Sequence, residues 1–293
     1  MTDQPGAPAR RTLLLAGATA VASGCAVAWA VSSTRGAAGP APRSGSGSDA
    51  RTGTGAAPAP GPVTPGTAAL STQPAPLPSS TDAPTKPDYH VHAGPMTMAL
   101  TFDDGPSPGY TAEVLALLRQ YRVTATFFMI GRNVQAFPEL ARQVAEAGHR
   151  VGNHTWSHPD LGKLSPAQVR TEIERTNTVI TQVVGQRPVL FRAPGGFFTR
   201  ASMAVCGDLG LRPVSWSVDP EDWANPGADV ITDRVLRHAR TGSIVLDHDG
   251  CLVDGAPVVP GSPADRSQTV AAVRAYLPRL VGAGYRFTVP GPP

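Results

Sequence analysis

Cysteine is scarce in this chain, net charge is small, and no internal repeat is present. Of three cysteines in 293 residues, Cys25 lies in an N-terminal apolar stretch. That leaves Cys206 and Cys251 as the one pair able to bridge an exported domain, and only if the fold brings them together. The formal charge is +3, yet six basic and four acidic residues precede Met96; from there on, 19 basic residues face 18 acidic ones. A balance of +1 in the folded part argues against a nucleic-acid footprint.

The first ninety residues lack the means to make a core. Arg10-Arg11 precedes Thr12-Leu13-Leu14-Leu15 and an alanine-rich apolar stretch reaching about Val31, the layout of an export signal with a twin-arginine start. Three endings stay open. Ala22-Ser23-Gly24-Cys25 resembles a lipoprotein processing box, Ala28-Trp29-Ala30 fits ordinary signal cleavage, and the whole of 1–31 could instead remain as a membrane anchor. Residues 32–94 hold eleven prolines and nine glycines among Ala, Ser and Thr. Such composition buries too little apolar surface to offset ordering entropy, so this segment is expected to be a disordered linker. The folded domain is expected over 95–293, long enough for one substantial core.

Within it, apolar and β-branched runs alternate with helical spacings. Strands are expected at Met96–Phe102, Val123–Ile130, Arg150–Asn153, Val189–Phe191, Pro213–Val218, Ser243–Asp247 and Tyr285–Val289. Helices are expected at Thr111–Tyr121, Pro138–Ala147, from a Ser165-Pro166 cap to Gly185, and around Ala201–Leu209, Val230–Arg240 and Gln268–Leu280. Seven strands with intervening helices predict an α/β fold, a distorted (β/α) barrel with about seven strands.

The polar residues that matter sit just past the strand ends, where parallel βα folds collect their chemistry. Met98-Ala99-Leu100-Thr101-Phe102 stops at Asp103-Asp104-Gly105-Pro106; two neighbouring carboxylates at a buried strand end need a cation or an arginine nearby. His154-Thr155-Trp156-Ser157-His158 sets two imidazoles at i and i+4, neighbours on one helical turn. Alone, that pair fits a solvated or packed role as well as ligation; with a carboxylate from another strand end it makes a two-His, one-carboxylate metal set. Arg192-Ala193-Pro194-Gly195-Gly196 offers a permanent cation beside a glycine-permitted turn. Asp219-Pro220-Glu221-Asp222-Trp223 and Leu246-Asp247-His248-Asp249 complete the series.

In order and spacing, these segments resemble the five motifs of the NodB-homology polysaccharide deacetylases, carbohydrate esterase family 4. The resemblance covers about Met96 to Pro293 and implies metal-dependent removal of acetyl groups from a polysaccharide. It implies Asp103 as general base, and Asp104, His154 and His158 as ligands of one divalent metal, zinc or else cobalt. Arg192 would orient Asp103, Asp222 would orient His248, and His248 would be the general acid. Leu246 and Trp223 would line the acetyl pocket, and the Gly195 backbone N–H would serve the oxyanion. One departure is Gly195, where the family often carries an aromatic; part of the groove wall is therefore expected to be missing. The resemblance implies a monomer whose partner is an acetylated polysaccharide, with membrane contact only through the N-terminal segment. It leaves open an N-acetylglucosamine amide in peptidoglycan or a chitin-like chain, an O-acetyl ester on a xylan-type glycan, or an inactive carbohydrate-binding module.

Overall fold

The computed structural model of the chain describes residues 84–252 and 259–291. The expected export segment and most of the expected linker, residues 1–83, lie outside the described residues. Seven strands are present among them: β1 Thr97–Asp103, β2 Thr126–Met129, β3 Arg150–Asn153, β4 Leu190–Phe191, β5 Arg212–Pro213, β6 Ile244–His248 and β7 Arg286–Phe287. The helices are α1 Thr111–Tyr121, α2 Gly131–Ala136, α3 Pro138–Glu146, α4 Pro166–Val184, α5 Arg200–Leu209, α6 Ala228–His238 and α7 Ser267–Gly282. Every strand pair is parallel, in the order β5-β4-β3-β2-β1-β6, with β7 on the start of β1. Parallel neighbours require crossover connections, which is why helices separate the strands and why β1 is buried at every position.

The curl of the sheet comes from the segment after β5. The Val214 N–H still donates to Phe191 O on β4 (2.9 Å), and Val214 bridges Asp88. Beyond it the chain leaves β4 and crosses to β6, where Val218 bridges Val245 and its carbonyl accepts the Leu246 N–H at 2.9 Å. The strand expected at Pro213–Val218 is thus two short contacts on different neighbours, and this is the distortion in the barrel. Two helix ends follow the sequence closely. Ser165 and Gln168 form a reciprocal capping box before Pro166, and α4 stops at Gly185 in the left-handed region.

The structure corrects one expectation, adds one helix and answers one question left open. The linker does not extend to residue 94: Asp88 N–H donates to Pro213 O (2.9 Å), Ser215 N–H donates to Asp88 O (2.7 Å), and Val91 is buried. The surrounding Pro-rich composition masked this short strap. The six-residue α2 was not expected, because a lone apolar residue, Val134, gives it no periodicity. Cys206 and Cys251 are both buried, and no disulfide joins them. Cys206, on α5, packs with Val169, Ile173 and Phe191, whereas Cys251 follows β6 and its carbonyl accepts from Asn133. Burial pushes the Cys206 thiol up to about 12, so it is inert as a nucleophile.

Candidate active site

Strand register assembles the first part of the site. Asp103 is the partner of His248 across β1 and β6, and Thr101 is the partner of Leu246. Alternation along a strand puts Thr101, Asp103, Leu246 and His248 on one face. The fully buried Arg192 guanidinium reaches that face from the end of β4. Its Nη1 donates to Asp103 Oδ1 (2.7 Å) and Thr101 Oγ1 (2.8 Å). Its Nε and Nη2 donate to Val214 O (3.2 Å) and Ser215 O (2.8 Å), and its flat face lies 4.2 Å from the Phe128 ring centroid. Burial lowers the Arg192 pKa, opposed by Asp103. A guanidinium so fully engaged cannot swing away, so the orientation of Asp103 is set by the scaffold.

One residue further on, Asp104 takes a positive φ of 69°, a backbone state that a non-glycine residue holds only when its surroundings impose it. Its N–H donates to Phe128 O (3.2 Å), and its carbonyl accepts from Asn133 Nδ2 (2.8 Å). Gly250 packs so close that an added Cβ would lie 2.6 Å from the Asp104 carbonyl. A Cβ on Gly105 would run into the buried Asp249 carboxylate, which accepts from Thr111 Oγ1 at 2.5 Å and which burial pushes up to about 7.

Asp104 Oδ1 lies 3.3 Å from His154 Nε2 and 3.3 Å from His158 Nε2. His154 Nδ1 is 2.9 Å from Arg192 O; a carbonyl only accepts, so Nδ1 carries a proton, and Nε2 is the nitrogen that faces Asp104. The Asp104 oxygen is buried without a hydrogen-bond partner. An orphaned carboxylate oxygen facing two imidazole nitrogens, all three ligand atoms within 4.8 Å of one another, fits a divalent cation with open positions. Burial opposes ionisation of Asp104, but the His158 charge and the contact with His154 hold it well below the usual carboxylate range. Burial lowers His158. His154 is raised because Asp103 and Asp104 outweigh its burial.

The two histidines do not share a helical turn, as their spacing had suggested. Residues 154–158 form a loop in which Thr155 and His158 have positive φ values of 65° and 53°. The Thr155 hydroxyl accepts the His158 N–H at 3.2 Å and donates to His154 O at 2.5 Å.

On the far side, Asp222 opens a 3-10 turn over Asp222–Ala224 and is fully buried. Its Oδ1 is 2.7 Å from His248 Nδ1; its Oδ2 accepts the His248 backbone N–H (2.8 Å) and the Thr269 hydroxyl (2.8 Å). Burial alone would push His248 down; the Asp222 carboxylate reverses this and, with Asp104, raises it to about 9. Asp222 therefore favours the charged form of the His248 ring and engages its Nδ1. Leu246 is buried on the same face and Trp223 half-buried on the turn.

Comparison with known proteins decides the family. A polysaccharide deacetylase profile matches residues 90–214, which includes Asp103, Asp104, His154, His158 and Arg192. A peptidoglycan-N-acetylglucosamine deacetylase of Bacillus cereus is 45% identical over 192 residues, 65% of this chain and 84% of that protein. This chain belongs to the polysaccharide deacetylase family. A chitooligosaccharide deacetylase of Rhizobium leguminosarum bv. trifolii is 43% identical over 188 residues, 64% of this chain and 86% of that protein. The crystal structure of a peptidoglycan N-acetylglucosamine deacetylase superposes with a TM-score of 0.62 at 33% identity, covering 69% of this chain and 89% of that one. Those neighbours share the (β/α)-barrel fold described above, and the chain is a polysaccharide deacetylase enzyme, a hydrolase of amide bonds.

In this polysaccharide deacetylase an aromatic ring stands close to Gly195. Gly195 has φ 61° inside the turn Pro194–Gly196, and an added Cβ would lie 2.8 Å from the Phe197 ring. Phe197 itself is 55% exposed, so an aromatic ring stands over position 195 from two residues along. Phe197, Asn133, Thr101 and Glu172, which contacts the 154–158 loop, were not singled out from the sequence. Glu172 left one faint trace, an acid beside the apolar stripe Val169, Ile173 and Ile180 on α4.

Proposed function

We propose that the chain removes acetyl groups from N-acetylglucosamine units of a cell-envelope or extracellular polysaccharide, with peptidoglycan ahead of a chitin-like chain. The observation that carries this reading is the pairing of Asp103 with His248 across β1 and β6, beside the Asp104, His154 and His158 cluster. A proton acceptor and a proton donor thus border one set of metal-ligand atoms. Asp104, His154 and His158 would hold one divalent ion, zinc or cobalt, which polarises the acetyl carbonyl and acidifies water.

Asp103, with Oδ1 on Arg192 and Oδ2 3.6 Å from His154 Nε2, accepts the proton of the attacking water. The Gly195 N–H is the assigned donor to the tetrahedral oxyanion. Leu246 and Trp223 take the acetyl methyl. His248, kept protonated by Asp222, gives its proton to the departing amine. In this reading the enzyme acts as a monomer and touches a membrane only through residues 1–31, as an exported lipoprotein or anchored protein, or is secreted after cleavage. Cys25→Ser should release the protein from membranes or leave it unprocessed; unchanged partitioning and processing would end the lipoprotein version.

Acetate release from acetylated peptidoglycan, chitooligosaccharide and acetylxylan, measured side by side, tests the substrate. Turnover on the first two is expected to exceed that on acetylxylan. The reverse order would replace the amide reading with an O-acetyl esterase, and no release from any would overturn both.

A further inference from the structure

The loop carrying two of the three ligand atoms has little local reason to keep its shape. It contains no helix or strand, and two of its five residues hold a left-handed backbone, one of them the β-branched Thr155. What holds it is a full account of its N–H groups. His154 N–H donates to Met129 O (3.0 Å), Thr155 N–H to Asn153 Oδ1 (2.9 Å) and His158 N–H to Thr155 Oγ1 (3.2 Å). The two remaining donors, Trp156 N–H (2.9 Å) and Ser157 N–H (2.8 Å), both go to Glu172 Oε2, while Oε1 accepts the Ser157 hydroxyl at 3.0 Å.

Glu172 lies on α4, a different element from the loop, and all three of these contacts are with loop atoms. The same helix holds the loop a second time: the Arg175 guanidinium carbon lies 3.6 Å above the Trp156 ring. From α2, the first N–H groups donate to Thr155 O (2.9 Å) and Trp156 O (3.1 Å). Two adjacent N–H groups aimed at one anionic oxygen form a small anion-binding concavity filled by the chain's own carboxylate.

We propose that Glu172 is a positioning residue for the metal-ligand pair: by clamping Trp156 and Ser157 it fixes the loop turn that aims His154 and His158 together at Asp104. The inference rests on the metal reading of those three residues. A structural role alone would lower stability when Glu172 is removed and leave metal affinity unchanged. The clamp instead predicts that metal affinity depends on the reach of the side chain. Groups that orient metal ligands are worth about 10–100-fold in affinity.

The test uses the full chain, zinc alone as the probe, competition with a chromophoric chelator, and the absorption spectrum of the cobalt-loaded protein. Glu172→Ala and Glu172→Asp, the latter keeping the charge but losing one methylene of reach, should weaken zinc about tenfold or more and alter the cobalt spectrum. Glu172→Gln keeps the reach and one oxygen with two lone pairs, and should stay near the wild type. Glu174→Ala, on the exposed side of α4 with an Arg170 ion pair, is the control and should change nothing. Wild-type zinc affinity and cobalt spectrum in Glu172→Ala and Glu172→Asp would overturn the proposal. If Glu172→Ala fails to fold, Glu172→Asp decides. A loss in Glu172→Gln with Glu172→Asp near the wild type would overturn the clamp in favour of a charge effect. Wild-type protein that binds no zinc would overturn the metal reading itself, an outcome independent of the Glu172 variants.

Discussion

Asp222→Asn tests the acid side of the site most directly. In the native structure the two carboxylate oxygens take three donors, the His248 ring, the His248 backbone and the Thr269 hydroxyl. They also supply the main force raising His248 to about 9 against its burial. Asparagine keeps the shape and loses the charge, so burial and the Arg266 charge then act on His248 with little opposition. A fall from about 9 to the ordinary 6.5 or lower corresponds to roughly 3 kcal/mol at 1.36 kcal/mol per pKa unit. At pH 7.5 the protonated fraction would drop from nearly all to about one tenth or less, a loss of at least tenfold in kcat before any loss of orientation.

The assay is the pH profile of kcat on an acetylated chitooligosaccharide. The wild type is expected to lose activity on the alkaline side as His248 deprotonates, at about 9 or somewhat below, since a cation on Asp104 removes one of the charges holding it up. In Asp222→Asn that limb should move to about 6.5 or lower. The asparagine NH2 also faces a backbone N–H or a hydroxyl where an acceptor stood, which should cost about 1–3 kcal/mol of stability; the melting temperature checks that the variant is folded. A folded, metal-loaded Asp222→Asn enzyme whose alkaline limb stays in place would refute the assignment of His248 as the proton donor held charged by Asp222.

Three further outcomes are expected. Chelation should abolish activity and zinc or cobalt restore it, and His158→Ala should bind well below one metal per chain; full activity after metal stripping would end the hydrolytic mechanism. Gly195→Tyr should lower the melting temperature, because the φ of 61° costs a non-glycine residue about 1–2 kcal/mol and its Cβ meets Phe197; adding Phe197→Ala should recover part of the loss, and an unchanged melting point in the single variant would contradict the packing described. His149 accepts the Ala125 N–H through Nδ1 at 3.2 Å, and burial lowers its pKa. Because the unfolded chain then binds the extra proton first, this stability is fully present above about 6.5 and is lost as pH falls through the folded pKa. Urea unfolding at pH 7.5 and pH 5 should therefore differ less in His149→Asn, and an equal pH difference in both proteins would rule His149 out.

Much of the site was legible because its signals are local. An apolar run ending at Asp103-Asp104, a histidine pair, an arginine before a Gly-Gly turn and a late Leu-x-His each announce a strand end by their own neighbours. The alternation of β-branched runs with helical spacing was enough to expect seven strands and a barrel, since those periods are intrinsic to the chain. Tertiary structure alone decided the rest. The i, i+4 spacing of His154 and His158 fits a helix as well as a loop; acceptors on β2, β3 and α4 made it a loop, and the left-handed backbone at Thr155 and His158 persists only inside that network. Likewise Pro213–Val218 reads as one strand, but the edges offered by β4 and Asp88 at one end and by β6 at the other split it in two. The ring over Gly195 came from Phe197 because φ 61° is open to glycine and the next turn folds back. Periodicity and residue type act over a few positions, whereas the partners of a backbone N–H or of a carboxylate such as Glu172 are set by which distant elements the packed core brings within 3 Å.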